Sequence, residues 1–387
     1  MTKLSLTLAA SAALVSAGLG DAVPLRPGPE PSAQPAPARG AASSGGAPHP
    51  ALPPTAVAIW KTAPPLPRPV SNNAVTALRS PAGASVFSFL GIDETKRWDG
   101  LVSWAFRWDV GEDAWREIAP VPGPGRLAPT AEALGAKVYL FGGYTVAQNG
   151  SEKSLPNVDI YDPETDTWSR GADMPVPVDD AVSGVWRDSL ILLVSGWHDT
   201  GNVTDVQIYD PSTDRWRAGT PIPDTPVFGH AGGVAGNAIV YLGGARVTDG
   251  QPRYHIEDSA WYGAIDPADP TQIAWTRLDD PPGPPVYRAA AVGVGRWVIF
   301  AGGTDNPYNY DGLGYDGAPS EPLDEVFLFD AIDGVWRTLA PLAIPTMDHR
   351  AIAFTGDELV LAGGMEAGQR VTRRTTIADG RELLTAR

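Results

Sequence analysis

Five histidines and no cysteine set the first limits on the chemistry of this chain. Thiolate zinc sites, iron–sulfur clusters, disulfides and cysteine nucleophiles are excluded. Acid–base work is left to imidazole and carboxyl groups. His198 precedes Asp199 in "LVSGWHDTGN", His230 lies in "VFGHAGG", His255 in "PRYHIED", and His349 stands between Asp348 and Arg350 in "MDHRAI". Such groups act as general acids or bases when their pKa lies near the working pH, and arginine holds a carboxylate in a bidentate fork. Arg126, Arg288 and Arg350 each open a short apolar run, as Asp180 does. Trp197, Tyr308 and Tyr310 offer flat faces for stacking, and Asn306 a donor and acceptor. His198, Asp199, His230 and His255 also suit zinc or copper by type, but no pair has short-motif spacing, so no metal is assigned.

The elements that must position these residues repeat. An apolar run ends in Gly-Gly, a variable loop follows, then a Tyr/Phe-Asp strand, then a tryptophan. "KVYLFGG…VDIYDPETDTW" (137–168), "LILLVSG…VQIYDPSTDRW" (190–216) and "WVIFAGG…VFLFDAIDGVW" (297–336) show it. Trp60, Trp115, Trp168, Trp216, Trp275 and Trp336 are spaced by 55, 53, 48, 59 and 61 residues. Gly91, Gly143, Gly196, Gly244, Gly303 and Gly364 keep step with them. Two markers in step at about fifty residues indicate a repeat architecture. Alternating strands and "DPxTD" turns make each unit four antiparallel strands, a to d. One such sheet cannot bury both faces, so six units must stack radially as blades. The glycine pair ends strand b near the crowded axis, and the tryptophan of strand d fills the widening gap outside. The last unit lacks its d strand and tryptophan. "VAIWKTAPPLP" (57–67) supplies both and closes the ring.

Strand direction sorts the loops. The a–b turns are short and share one face with the c–d turns. The b–c loops and d–a segments share the other, and there fall His198, His230, His255, His349, Asp199, Asp348, Asp180, Arg126, Arg288 and Arg350. Loops carried on a rigid ring are where binding groups collect. The expectation is one open polar cavity at the axis of this face.

The Gly-Gly pair, the "YDP.T..W" string and the period resemble kelch repeats, so the fold class is all-β and residues 57–387 resemble a six-bladed kelch β-propeller. Kelch propellers serve unrelated functions. Copper radical oxidases of the galactose oxidase family share the fold, but that resemblance implies a tyrosine joined to a cysteine, which this chain lacks. The architecture is also similar to the sialic acid mutarotase (N-acetylneuraminate epimerase) family. That resemblance implies anomer interconversion, with His230, His349, Asp348 or Asp199 as acid–base groups and Arg288 or Arg350 on a carboxylate. Arg246 and Arg253 lie in the loop where that family's basic residue is expected, with Ala245 where an acid is expected.

Residues 1–21, with Lys3 ahead of an apolar stretch and small residues near 17–22, read as a signal peptide. Residues 22–56 are a Pro/Ala-rich linker. Secretion, to the periplasm or outside the cell, is therefore expected. A net charge of −16 makes nucleic acid and anionic membrane surfaces poor partners. The expected function is binding of a small carbohydrate-like ligand at the polar axial face. The alternatives are a mutarotase of the family named above and a peptide- or protein-interaction propeller. No cofactor is called for.

Overall fold

The computed structural model describes residues 60–279 and 281–381. The signal peptide and linker expected over 1–56 lie outside them. Six four-stranded antiparallel sheets follow one another along the chain. Their inner a strands are Ala74–Ser80, Thr130–Leu134, Val182–Trp186, Ala231–Ala235, Ala290–Val294 and Ala353–Phe354, in blades 1 to 6. These strands neighbour one another in a closed circle, so the sheets form a six-bladed β-propeller. The strand Lys61–Ala63 pairs with Thr375–Asp379 and completes blade 6, as the sequence predicts. Trp60 is buried beside Trp297, Leu359 and Ala378, in the seam between blades 5 and 6.

The tryptophan ladder is a set of latches as well as filler. The indole N–H of Trp168 donates to the Ala119 carbonyl at 2.9 Å, that of Trp216 to Ala172 at 2.9 Å, and that of Trp115 to Pro64 at 2.8 Å. In each case the acceptor follows the outer strand of the preceding blade. Trp115 is buried and Trp168 and Trp216 are half-buried, so each of the three fills its seam and finds a partner for its polar edge.

The glycine pairs act in the same seams, nearer the axis. A Cβ on Gly142, Gly243 or Gly302 would lie 2.1–2.2 Å from a backbone oxygen of the next blade, Val178, Val286 or Thr346. The second glycine donates its N–H to that same carbonyl in each case. Ser195 takes the first place of the pair in blade 3 with φ +55°. Its hydroxyl lies 2.9 Å from the Val227 carbonyl that a methyl group would strike, so the repeat is intact there.

Closest to the axis a ring of main-chain hydrogen bonds joins all six blades. Asn72, Ala128, Asp180, Gly229, Arg288 and Asp348 all have φ between +50° and +68°. The N–H of Ala128 donates to Asn72, Asp180 to Ala128, Gly229 to Asp180, and Arg288 to Gly229, at 2.7–3.3 Å. His349 donates to the Arg288 carbonyl at 3.2 Å, and Asn72 to the Asp348 carbonyl at 3.1 Å, which closes the circle. The left-handed backbone at each station is what turns the d–a segment into the inner strand.

Candidate functional site

Four ring stations carry polar side chains, and these meet on the axis. Asp180, Arg288 and Asp348 are 0–1% exposed. Arg288 reaches Asp180 through Nη2 at 2.8 Å and Asp348 through Nη1 at 3.2 Å. Arg350, two residues beyond its station, pairs with Asp180 and lies 3.6 Å from Asp348. Asn72 donates to Asp348 at 3.1 Å and faces the Arg350 guanidinium at 3.2 Å. Two arginines and two aspartates balance, as burial of charge requires. Burial pulls the Asp180 carboxyl upward, but Arg288 and Arg350 outweigh it and hold it below the usual range.

The face is not open. The blade 5 segment after Gly303 folds across the axis and touches four other blades. Arg288 donates to the Asn309 carbonyl, and Tyr287 to that of Tyr308 at 2.9 Å. Asn309 donates to Glu152 of blade 2 at 3.0 Å, Lys96 of blade 1 to the Asp311 carbonyl at 2.7 Å, and Gln369 of blade 6 to the Ser320 carbonyl at 3.0 Å. Tyr315 packs on Tyr254 of blade 4 with ring centroids 4.3 Å apart. Beneath this segment remains a cavity of about 20 Å³, lined among others by Asp179, Glu152, Arg288, Trp197, Phe228, Tyr254 and Tyr315. The open cavity expected on this face is therefore absent among the described residues. The loop long enough to carry Asn306, Tyr308 and Tyr310 is also long enough to cover the axis.

Two carboxyls that edge this small cavity are shifted upward. Burial, with the neighbouring Asp180 charge second, pushes Asp179 well above the carboxylate range while it accepts from Ser154 Oγ at 2.5 Å. Burial also raises Glu152, opposed by its Asn309 hydrogen bond. Asp179 and Asp180 are thus adjacent in sequence and opposite in proton affinity, the arrangement that separates an acid from a base.

Of the residues singled out in the sequence, Asp180, Arg288, Arg350 and Asp348 come together, and Trp197 stands at the cavity wall. His230 and His349 do not face it. The Nε2–H of His230 meets the Val194 carbonyl at 3.0 Å, and His349 Nε2 lies 3.0 Å from the Thr346 hydroxyl. His230 packs against Gly244 and His349 against Gly364, in each case the second glycine of its own blade. Arg126 is buried against Asp159 at 2.6 Å, off the axis. His198 binds the Pro177 carbonyl at 2.7 Å, and Asp199 sits 45% exposed at a hairpin tip beside Ser154. Asn306 donates within its own loop to Asp316. Tyr308 is fully buried, whereas Tyr310 is half-buried against Leu127 and Tyr144. His198, Asp199, His230 and His255 form no shared ligand set: among the described residues no group of three or more His, Asp or Glu could hold a metal ion. Sequence reasoning missed Glu152, which sits in a polar loop with nothing in "SEKS" to mark it.

Burial pushes His230 down to about 4 and His349 to about 3, with the Arg350 charge second for His349. Both are neutral in the folded protein at neutral pH. Below about pH 6.5 the unfolded chain takes up protons that the folded chain refuses. The contribution of these two histidines to stability is therefore full above about pH 6.5 and declines toward pH 4, by up to about 1.4 kcal/mol per unit for each, against the raised carboxyls, which act with the opposite sign. Urea unfolding across this window is the check. His349→Gln is expected to flatten the slope, and an unchanged slope would remove the histidine from this account.

Comparison with known proteins places the chain by fold. The Kelch motif family matches residues 125–175, which is blade 2 and its lead-in. The kelch-like protein terF of Aspergillus terreus is 23% identical over 293 residues, 71% of this chain and 58% of that protein. The chain thus spans just over half the length of that relative. The solved structure of YjhT superposes with a TM-score of 0.65 at 17% identity, over 81% of this chain and 96% of the other.

Proposed function

Because the chain is a six-bladed β-propeller of kelch repeats, we propose that it is a secreted binding protein for a small carbohydrate-like ligand. The ligand's place is the axial face beneath the blade 5 segment. One observation carries the reading. Asp179 and Glu152, held toward the protonated form, stand with the fixed charges of Arg288 and Asp180 against an aromatic wall of Trp197, Tyr254 and Tyr315. A carboxyl both donates and accepts when it holds its proton, as sugar hydroxyls do, and aromatic faces take the apolar side of a sugar ring. A void of about 20 Å³ holds roughly one water, so binding requires the segment around Asn309 to lift. Asn309 is tied by hydrogen bonds to Arg288 and Glu152, while Tyr308 and Tyr315 on either side are held by aromatic packing.

The test is a sugar screen by calorimetry. Trp197→Ala and Asp179→Asn are expected to weaken binding at least about tenfold, the loss of one good contact or about 1.4 kcal/mol. Trp98→Ala, on an exposed indole of blade 1, is expected to leave it unchanged. Equal loss in all three, or no sugar bound by the parent chain, would sink the proposal. The mass of the exported protein checks whether residues 1–21 are removed.

The adjacent pair Asp179 and Asp180 favours a second reading, acid–base isomerisation of a sugar at the same site, with Asp179 as the acid. Exchange between anomers, followed by NMR in freshly dissolved sugar, separates the two. A catalyst accelerates exchange and a binder does not.

A further inference from the structure

The widest cavity among those described lies at the other end of the axis. It is a channel of about 690 Å³ that runs from Arg350 to the a–b turns, where Arg187 and Asp188 stand at the mouth. Its walls are the six inner strands. Each is the edge strand of its sheet, so main-chain N–H and C=O groups outside the ladders face the channel. Four residues beyond each ring station the sequence reads Thr76, Glu132, Gly184, Gly233, Val292 and Ile352. Five of these are small or uncharged. The sixth is a carboxyl.

Glu132 is half-buried in this wall. Its side-chain partner is the Ser183 hydroxyl across the blade 2–blade 3 seam, donating at 2.7 Å. Among the described residues no cation is paired with it. Blade 1 presents Val75, Thr76 and Ala77 toward this level, and blade 3 presents Ser183, Gly184 and Val185. Arg187 is taken up by Asn237 at 3.1 Å and by the face of Trp186. Arg350 is taken up by Asp180 and Asn72. Lys137, in the same blade, is exposed at the start of its strand.

We propose that the axial channel is a binding site for a small organic ammonium ion, its nitrogen on the Glu132 carboxylate and its aliphatic body along the small-residue wall. An ammonium has three donors. Glu132 accepts one, and Ser183 Oγ and strand-edge carbonyls are at hand for the others. A single carboxyl suits this cation and not a divalent metal, which needs about six oxygen ligands. The cavity is of small-ligand size, and a chain of net charge −16 gathers cations around itself. Arg350 closes the inner end with its charge already matched by Asp180 and Asp348, which leaves Glu132 as the ammonium's station. Burial pushes the Glu132 carboxyl up to about 7, with the Ser183 hydrogen bond opposing, so the site switches from neutral to anionic near neutral pH.

Calorimetric titration of the whole chain with putrescine, and with the neutral butanediol of the same length, tests this. Putrescine is expected to bind about tenfold more tightly near pH 8 than near pH 6, following the ionisation of Glu132. Glu132→Gln keeps the hydrogen bond from Ser183 and removes the charge. It is expected to fold, to bind at least about tenfold less tightly near pH 8, and to lose the pH dependence. Glu132→Asp, charged but one methylene shorter, is expected to lose less. Equal binding by Glu132→Gln, equal binding of butanediol, or no binding of millimolar putrescine near pH 8 would each overturn the proposal.

Discussion

Arg288→Leu is expected to destabilise the protein by about 3–5 kcal/mol, the cost of leaving buried charge without its partner. The Arg288 side chain is 1% exposed and is shared between Asp180 and Asp348, themselves 0–1% exposed. Leucine refills much of the volume but leaves Arg350 to face two carboxylates. One negative charge is then uncompensated among side chains that are 0–1% exposed. Arg288→Lys keeps the charge but not the fork that addresses Asp180, Asp348 and the Asn309 carbonyl together, so a smaller loss, about 2 kcal/mol, is expected. Adding Asp180→Asn to Arg288→Leu restores neutrality and should return part of the loss. Urea unfolding at neutral pH measures all three variants. A loss under about 1 kcal/mol in the leucine variant, or no recovery in the double one, would mean that these charges are better solvated than their burial indicates.

The second large effect lies at the seam that closes the ring. Trp60→Ala is expected to cost about 3–5 kcal/mol, as for other buried tryptophans truncated to alanine. Trp60 is 6% exposed, and it fills the space between Trp297 and the strands of blade 6. A chain started at Leu66 loses the strand Lys61–Ala63 as well, and Thr375–Asp379 becomes a free sheet edge. Open edges pair with other chains. The truncated protein is therefore expected to associate, which size-exclusion chromatography detects. A monomer as stable as the parent would mean that blade 6 closes without its fourth strand.

The propeller was legible because its markers are side chains that recur. Trp115, Trp168 and Trp216 must be tryptophan to fill one seam and latch to the next, and Gly142 and Gly243 must lack a Cβ. The closing strand was legible by subtraction, because blade 6 lacked what residues 57–67 carried. The side of the ring on which His230, Asp180 and Arg288 lie was legible from strand direction alone. Their depth was not. A residue at a strand end faces water or lies under a lid depending on the path of a loop, and the path after Gly303 is set by contacts with four other blades. Long loops hold no local period from which such contacts could be read. Glu132 could have been found. In register with Gly184, Gly233, Val292 and Ile352 it is the one acid among inner-strand positions, a comparison that requires the repeats to be aligned residue by residue.

Asn72, Ala128, Asp180, Gly229, Arg288 and Asp348 share a backbone shape and a main-chain bond to the next blade, and nothing else. The hoop they form is indifferent to what hangs from it. It behaves as a mount with six sockets aimed at one point, each accepting an amide, a methyl group, a carboxylate, a hydrogen atom or a guanidinium. Chemistry at the axis can thus be exchanged without rebuilding the hoop, provided that buried charges change in balanced sets, while the scaffold is held by tryptophans and glycines elsewhere. That separation between what holds the ring and what occupies its centre gives a physical reason why one scaffold can serve unrelated ligands.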